Sequence, residues 1–396
     1  MSGMKNLVVK GRKIKLPDFF PDATKGVIRG CSSEDVAQAG INGLIVNTYH
    51  LLTQPGPMVL EQCGGIKKYM NWHGVIISDS GGWQMFSLIH RNSGMGSTNK
   101  GGVTFIKETK GGKFKYEITP EKCIQTQFGI GADIMVCLDY FTPENPSSND
   151  LDISVKRTVE WAGRCKEEFD TLCRQKKLEK KDRPLLFCVL QGGRDKKSVE
   201  KCAEGLRQFS FDGWGLGGWL FDEETNLDLD ICKHYYDCME RDKPTYALGI
   251  GNPQAVADCA KIGFDIFDCV LPTRDARHKR LYVFNEDPCH CIPYGAGSTA
   301  IRGAGGEIRD PRRECRGTQP NLNKHKWYST FQIDREKYIR DFSPISEFCD
   351  CFTCKNYTRA YLRHLFEIED TLAYRLATIH NLRMYSTLME SLEKII

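Results

Sequence analysis

Residues 75–81, with the sequence VIISDSG, begin with three β-branched side chains and become polar at Asp79. A short apolar run of this kind is typical of a strand that is buried on both faces of a parallel sheet. The pattern recurs along the chain, with helical stretches between many of the runs. The other runs are 43–50 (GLIVNTYH), 133–139 (DIMVCLD), 185–192 (LLFCVLQG), 213–219 (GWGLGGW), 245–251 (TYALGIG) and 265–273 (DIFDCVLPT).

With an eighth strand expected near residues 27–30, these runs predict an α/β protein with a (β/α)8 TIM barrel. A doubly wound open sheet is the alternative, although no G-x-G-x-x-G motif follows the first strand. The carboxyl ends of barrel strands meet at one mouth, so the polar residues there should either line one cavity or simply begin turns. The residues concerned are Asp79, Asp139, Gln191, Gly217, Gly218 and Gly249.

The composition is that of a globular protein, with 396 residues of which 40% are hydrophobic and 27% charged. No apolar run is long enough to span a bilayer, and the N-terminal residues lack the apolar core of a secretory signal. We therefore expect no membrane partner, and we expect a reducing, cytoplasmic compartment in which some of the 18 cysteines are buried thiols and some bind metal. The net charge is only +4, but residues 274–340 carry 14 Lys/Arg against 8 Asp/Glu.

These patterns predict three units along the chain. Residues 1–280 would form the barrel, with a β-hairpin inserted near 92–118, where the sequence is rich in Gly and Lys. Residues 281–340 would form a basic insertion. Residues 341–396 would form a helical, zinc-binding subdomain packed on the barrel.

The last unit contains a C-x-C-x2-C motif, followed by a histidine on a stretch with helical spacing. Three thiolates and one imidazole form a closed ligand set of the type that holds structural zinc. The expected ligands of one Zn2+ per chain are Cys349, Cys351, Cys354 and His380. A second group is better explained as ordinary cysteines, since no clear fourth ligand with metal-like spacing stands out; it comprises Cys289, His290, Cys291 and Cys315.

Two aspartates are candidates for chemistry at a sugar carbon. Asp79 precedes two glycines that let a ligand approach the backbone, and Asp268 is flanked by Phe, Cys and Val, which would partly desolvate it. Paired carboxylates can perform retaining glycosyl transfer, one as nucleophile and the other as general acid/base. The alternative is that they begin turns or form ion pairs. The donors and acceptors for a purine edge would be Asp139, Gln191 and the backbone of Gly217 and Gly218.

Basic residues follow Asp268 directly. Arg274 and Arg277 are spaced at i and i+3, which beside a glycosyl site suits contacts with phosphates and unstacked bases. Farther on, residues 324–328 (KHKWY) pair charge with aromatic rings, as single-strand binders do. A solvated surface is the alternative for both runs.

Together these residues resemble the tRNA-guanine transglycosylase (queuine tRNA-ribosyltransferase) family, from about Leu16 to the C-terminus. The family fold is a (β/α)8 barrel with a zinc-bearing subdomain near the C-terminus, in agreement with the pattern above. The matching motifs, in order, are Asn47-Thr48-Tyr49-His50-Leu51 with Pro55-Gly56, Asp79-Ser80-Gly81-Gly82-Trp83-Gln84, Gln191-Gly192-Gly193, Gly217-Gly218, residues 267–274 (FDCVLPTR) and the Cys/His set.

The resemblance implies exchange of the wobble guanine in tRNA with a G-U-N anticodon. Asp268 would attack the anomeric carbon to give a covalent ribosyl–enzyme intermediate, and Asp79 would act as general acid/base. A 7-deazaguanine (preQ1, preQ0 or queuine) would then be joined with retained configuration. The implied purine contacts are Ser80, Asp139, Gln191, Gly217 and Gly218, with Tyr246 and Leu248 on the apolar side of the pocket and Arg274 and Arg277 on the neighbouring bases. A homodimer is expected, with a heterodimer as the alternative.

Phe141, Trp219 and Phe221 stand where the family usually has smaller residues near the 7-substituent, and Leu248 replaces the usual Met. The aromatic residues argue against the bulky cyclopentenediol of queuine. Two other functions stay open: an enzyme that inserts a 7-deazaguanine into DNA, and a non-catalytic, RNA-binding partner subunit. The arginines favour tRNA, and the presence of both aspartates disfavours a non-catalytic subunit. An unrelated barrel metalloenzyme is disfavoured by the closed ligand set.

Overall fold

The computed structural model describes residues 6–91, 93–109, 112–221, 226–288 and 327–396. Its strands are β1 Asn6–Val9, β2 Arg12–Lys15, β3 Asp18–Pro21, β4 Gly43–Asn47, β5 Val75–Asp79, β6 Gly96–Thr98, β7 Val103–Thr109, β8 Gly112–Ile118, β9 Ile134–Val136, β10 Leu185–Leu190, β11 Gly213–Leu216, β12 Thr245–Ala247, β13 Ile266–Cys269, β14 Arg280–Phe284 and β15 Tyr328–Gln332. Its helices are α1 Ser33–Gln38, α2 Thr48–Thr53, α3 Pro57–Cys63, α4 Ile66–Tyr69, α5 Gly82–Arg91, α6 Pro120–Ile130, α7 Ser148–Gln175, α8 Lys196–Leu206, α9 Leu229–Cys238, α10 Pro253–Ile262, α11 Leu271–Arg277, α12 Phe352–Asn356, α13 Arg359–Glu367 and α14 Thr371–Ile395, with short 3-10 turns at Ser93–Met95 and Glu336–Tyr338.

The centre of the fold is a sheet of eight parallel strands in the order β3-β13-β12-β11-β10-β9-β5-β4. Its two end strands approach each other through a parallel bridge between Asp22 and Ile45, and the amide of Ala23 donates to the carbonyl of Ile45 at 2.8 Å. The sheet therefore curves round into a nearly closed barrel. This confirms the predicted (β/α)8 class.

The prediction of the first barrel strand near residues 27–30 is wrong. That strand is β3, and residues 27–30 lie in a loop and turn before α1. The sequence of β3 is DFFP, with no β-branched residue and a proline at its end, so it lacks the usual strand signal. All four of its residues are nevertheless buried, with Phe19 in the outer core and Phe20 in the barrel interior.

Large rings fill the barrel interior where glycines leave room for them. A methyl group on Gly43 would lie 2.3 Å from the ring of Phe20, and one on Gly213 would lie 2.4 Å from the ring of Phe187. Both rings are completely buried. The interior is therefore a packed apolar plug beneath the mouth, as in other barrels of this class.

Two further parts of the chain pack against the barrel. Strands β6, β7 and β8 form an antiparallel sheet, and Phe105 of this sheet packs on Tyr49 with ring centroids 4.7 Å apart. At the C-terminal end, Arg375 of α14 makes a bidentate ion pair with Asp35 of α1, at 2.6 and 2.9 Å. The C-terminal helices are thereby attached to the barrel.

Most of the predicted basic insertion lies outside the described residues, as do the group Cys289, His290, Cys291 and Cys315 and residues 324–326 of the KHKWY run. Its two ends are described, because β14 and β15 pair as antiparallel neighbours. No helix in the described part of the chain has the length and apolar character needed to cross a membrane.

We predict that Gly43→Ala lowers the free energy of unfolding by about 1–3 kcal/mol, because the added methyl overpacks against Phe20. Urea unfolding would measure the loss. Phe20→Leu is the matched control, since it replaces the ring that the methyl meets with a smaller side chain. The double variant should lose less stability than the two single losses combined. Strictly additive losses would show that this contact does not limit the packing.

Candidate active site

The carboxyl ends of the barrel strands bring the predicted site residues to one mouth. Asp79 is the last residue of β5, Asp268 lies near the end of β13, and Gln191 directly follows β10. Asp139 lies three residues beyond β9, and Gly217 follows β11. Burial is the main cause of the raised pKa of Asp79, and the negative charges of Asp139 and Asp268 add to it.

Asp268 is held by two donors on one oxygen. The hydroxyl of Tyr246 donates to its Oδ1 at 2.8 Å, and the amide of Gly249 donates to the same atom at 2.7 Å. Burial raises the pKa of Asp268 to about 6, and these two hydrogen bonds oppose that rise. Because both bonds go to Oδ1, the carboxylate is fixed in orientation, and Oδ2 accepts no hydrogen bond from the described residues.

Asp79 has a partner that sequence reasoning did not assign a role. Asn47 stands opposite Asp79 in the register of β4 and β5, and its Nδ2 donates to Oδ2 of Asp79 at 2.7 Å. Burial, followed by repulsion from Asp139 and Asp268, raises the pKa of Asp79 to about 7. A carboxyl group with this pKa exchanges protons near neutral pH. The signal available in the sequence was that Asn47, like Asp79, ends an apolar run.

Gln191 and Asp139 form a second polar pair. The carboxamide Nε2 of Gln191 donates to Asp139 Oδ2 at 2.6 Å, while its Oε1 accepts from the amide and hydroxyl of Thr142 at 3.3 and 3.0 Å. Burial raises the pKa of Asp139, and hydrogen bonds from Gln191 and the buried Ser80 act in the opposite direction. Gln191 therefore has one defined amide orientation beside the carboxylate.

The two glycines after β11 keep space open beside this pair. A methyl group on Gly217 would lie 2.7 Å from Nε2 of Gln191, and one on Gly218 would lie 3.3 Å from its Oε1. Gly218 also has a φ of +102°, which disfavours any side chain. The backbone can therefore approach a flat ligand at this point.

Apolar side chains follow or accompany the same strand ends. Tyr246 is fully buried in the barrel interior, and the half-buried Leu248 packs against the same cluster. Trp219 packs on Phe221 with centroids 5.6 Å apart, and Phe141 packs on Phe86 at 5.4 Å.

The two predicted arginines lie on α11, which directly follows the strand of Asp268. The side chain of Arg274 is half exposed, and Arg277 donates to the carbonyl of Thr273 at 2.8 Å. Burial, followed by the positive charges of Arg29 and Arg274, lowers the pKa of Arg277. This arginine edge presents positive charge beside the carboxylates.

Asp22 is a further carboxylate at the mouth that sequence reasoning missed. It directly follows β3, and its charge contributes to the raised pKa values of Asp79 and Asp268. Because residues 27–30 were predicted as the first strand, Asp22 was not recognised as a strand-end residue. Its own side chain is half-buried and accepts a hydrogen bond from the hydroxyl of Thr24.

The predicted metal ligands come together beside α14. The ligand atoms of Cys349, Cys351, Cys354 and His380 all lie within 4.8 Å of one another. Cys351 caps the short helix α12, and His380 is buried on the long helix α14. This closed group could hold a metal ion.

The imidazole of His380 is oriented for metal binding. Its Nε2 lies 2.7 Å from the carbonyl oxygen of Tyr282, and because a carbonyl only accepts, Nε2 carries the proton. In the neutral imidazole that a metal ion requires, Nδ1 then carries no proton; Nδ1 lies 3.8 Å from the sulfur of Cys351 and 3.3 Å from that of Cys354. A tetrahedral ion bonded at about 2.3 Å to sulfur and about 2.0 Å to nitrogen would separate these atoms by about 3.5 Å. The donor set and its spacing therefore fit such an ion.

Comparison with known proteins agrees with this arrangement. A family model described as "Queuine tRNA-ribosyltransferase" matches residues 4–396. Three curated relatives carry the same name, and the chain covers most of each. They are those of Staphylococcus epidermidis strain ATCC 35984 (34% identical over 383 residues, 96% of this chain and 85% of the relative), Staphylococcus haemolyticus strain JCSC1435 (35% over 380 residues, 96% and 85%) and Caldanaerobacter subterraneus subsp. tengcongensis (34% over 383 residues, 97% and 87%).

We predict that the purified protein contains about one metal ion per chain and that Cys354→Ser removes most of it. Loss of the ion should lower the Tm by about 5–10 °C, as expected for a few kcal/mol in a chain of this size. Elemental analysis by mass spectrometry and calorimetry would measure the two effects. Cys63→Ser, at an exposed cysteine outside the group, is the matched control and should keep the ion. Full metal content in Cys354→Ser would contradict the ligand assignment.

Proposed function

The chain belongs to the queuine tRNA-ribosyltransferase family, and from this premise we propose that it is a pentosyltransferase that exchanges a base in tRNA. The wobble guanine of a G-U-N anticodon would be replaced by a 7-deazaguanine. The observation that carries the proposal is the pair of oriented aspartates at one barrel mouth, Asp268 and Asp79, whose pKa values are raised to about 6 and about 7.

In the first half of the reaction, Oδ2 of Asp268 attacks C1′ of the ribose from the face opposite the base. The C1′–N9 bond breaks, and its electron pair leaves with guanine. The protonated carboxyl of Asp79 gives its proton to the departing base. The product is a covalent ribosyl–aspartate intermediate, and the hydrogen bonds from Tyr246 and Gly249 hold the attacking carboxylate in place.

In the second half, a 7-deazaguanine enters the emptied pocket. Asp79, now ionised, takes the N9 proton of the base, and N9 attacks C1′ while the bond to Asp268 breaks. Two inversions give overall retention, and guanine departs before the second base binds, so the kinetics are ping-pong. Asn47 would hold the side chain of Asp79 in place in both halves of the reaction, because its Nδ2 donates to Oδ2 of Asp79.

The polar pair and the glycine backbone would grip the purine edge. The carboxylate of Asp139 would accept hydrogen bonds from the N–H groups of a guanine. One Nε2 hydrogen of Gln191 is donated to Asp139; the other, together with a backbone N–H beyond Gly217, would be donated to the guanine carbonyl. Ser80 supports Asp139, and Tyr246 and Leu248 border the apolar side of the pocket. Guanine and a 7-deazaguanine share this edge, so one pocket serves both halves of the reaction. The aromatic residues Phe141, Trp219 and Phe221 favour a small 7-substituent, as in preQ1 or preQ0, over that of queuine.

The arginine edge would bind the RNA. The target nucleotide must leave its stack to reach the mouth, and its neighbours then need partners. Arg274 and Arg277 lie on the helix that leaves the strand of Asp268, where their guanidinium groups can meet phosphates and adjacent bases. This placement favours a structured RNA loop over DNA.

We propose Zn2+ for the Cys3His group, because three thiolates and one imidazole with no open position are the ligands of structural zinc. The ion would cross-link the cysteine turn to α14 and takes no part in the exchange. We also propose a homodimer, as the family resemblance implies. Exposed aromatic side chains in the C-terminal subdomain provide apolar surface for association; they are Phe342, Phe348, Phe352 and Tyr361.

The test is an exchange assay with radiolabelled guanine, a tRNA with a G-U-N anticodon, a matched DNA hairpin and a panel of unlabelled 7-deazaguanines. We predict that label enters the tRNA and that Asp268→Asn lowers the rate by at least about 10³-fold, since the nucleophile is lost. Binding of tRNA and metal content should stay near normal.

Asp182→Asn is the matched control for that variant, because Asp182 is exposed and precedes β10 at the opposite end of the barrel. Normal turnover by Asp268→Asn would overturn the assignment of the nucleophile.

The wild-type protein distinguishes the substrate classes. Label in the DNA hairpin would favour the DNA-modifying alternative. Bound tRNA with no label in either nucleic acid would favour the partner-subunit alternative.

We predict a bell-shaped dependence of kcat/KM on pH. Asp268 must be ionised to attack, so the rate should rise as pH increases through about 6. Asp79 must be protonated to donate, so the rate should fall as pH increases through about 7. The two apparent values belong to the interacting pair. Asp79→Asn removes the group assigned to the basic limb, so that limb should disappear from the residual activity while the acidic limb stays near pH 6; a basic limb that persists would contradict the assignment.

A further inference from the structure

Four neighbouring strands of the barrel each carry a polar side chain within one residue of their carboxyl end, and two of these side chains lie between the proposed catalytic aspartates. The strand order is β13, β3, β4, β5. In that order the strand-end residues are Asp268, Asp22, Asn47 and Asp79. A ribose that Asp268 attacks and whose base Asp79 protonates must lie over β3 and β4.

The register fixes the height of Asp22 at the rim. Asp268 pairs with Phe20 in β3, so Asp22 stands two residues farther toward the mouth on the adjacent strand. On its other side Asp22 bridges to Ile45 of β4, two residues before Asn47. Asp22 is thus beside and slightly above the nucleophile, where the substrate must enter.

The environment of Asp22 does not fully compensate its charge. Within the described residues it forms no ion pair shorter than 4 Å, and its hydrogen-bond partner is the neighbouring Thr24. Burial raises the pKa of Asp22, and the charge of Arg277 opposes this. Asp22 in turn raises the pKa values of Asp79 and Asp268. A fourth carboxylate is costly here and has no proton to transfer in the exchange, so a donor from the substrate would account for it.

The stereochemistry of the nucleoside supplies that donor. In a β-nucleoside the base is on one face of the ribose, and the 2′- and 3′-hydroxyls are on the other. A nucleophile that displaces the base attacks from the hydroxyl face. The hydroxyls therefore point toward the side of Asp268, where the acceptor on the adjacent strand is Asp22.

We propose that Asp22 accepts a hydrogen bond from the 2′-hydroxyl of the attacked ribose and thereby makes the enzyme selective for RNA. The inference rests on the base exchange proposed above. The 2′-hydroxyl is the group that distinguishes RNA from DNA at a given nucleotide. A deoxyribose would leave the half-buried carboxylate without its donor, and sites built for a polar group reject analogues that lack it.

The test compares two anticodon stem-loops, one all-ribose and one with a single 2′-deoxyguanosine at the wobble position. The discrimination ratio is kcat/KM for the first divided by kcat/KM for the second. Removing the hydroxyl changes the intrinsic lability of the glycosidic bond equally for every variant, so ratios are compared between variants. We expect Asp22→Ala to lower the wild-type ratio by about 10- to 100-fold, the effect of one hydrogen bond to a charged group.

Asp22→Asn keeps an acceptor oxygen and should retain part of the discrimination, and it provides a second variant should the alanine protein fold poorly. Asp182→Ala, at an exposed aspartate far from the mouth, should keep the full wild-type ratio. A wild-type ratio preserved in both Asp22 variants would overturn the inference. It would also be overturned if the Asp22 variants lost discrimination only against a stem-loop whose 2′-deoxy substitution is at a neighbouring nucleotide instead of the wobble position. Absence of guanine exchange by the wild type on the all-ribose stem-loop would instead overturn the proposed function.

Discussion

The burial of several carboxylates side by side above an apolar plug is the constraint on which the arrangement of this mouth depends. Carboxylates deprived of water and placed near one another resist ionisation, and the raised pKa values of Asp79, Asp139 and Asp268 are the result. Each of them is accordingly given a donor from an adjacent strand or loop. The same desolvation that costs stability leaves the carboxyl groups able to exchange protons near neutral pH, so the site is built at some expense to the fold.

One helix connects the metal group to the arginine edge. His380 of α14 faces the three cysteines, while its neighbour Asn381 donates to the carbonyls of Pro272 and Arg280, at the beginning of α11 and just beyond its end. The carboxamide of Asn381 also accepts from the amide of Tyr282, whose carbonyl orients the imidazole. A metal ion in this group would therefore act at a distance, by holding the helix that positions Arg274 and Arg277.

Much of the architecture could be predicted from the sequence because buried parallel strands leave a strong local pattern. The barrel class, the family and the convergence of the four cysteine and histidine ligands all follow from short motifs and the spacing between them. The features that were missed have a common cause: the pairing between two strands leaves little signal in the sequence of either strand alone. β3 lacked the usual strand signal, so Asp22 was missed, and the contact between Asn47 and Asp79 depends on register. The roles of the site residues stay proposals.

The antiparallel pairing of β14 with β15 sets Phe284 opposite Tyr328, so the long stretch between them begins and ends at one point on the barrel. A chain that leaves and returns at a fixed point can change length at little thermodynamic cost, about 0.6 kcal/mol for each doubling. The paired strands therefore separate changes in the length of this stretch from the rest of the barrel. This stretch can therefore lengthen in evolution, or accept an inserted reporter or affinity module, while the barrel keeps its geometry.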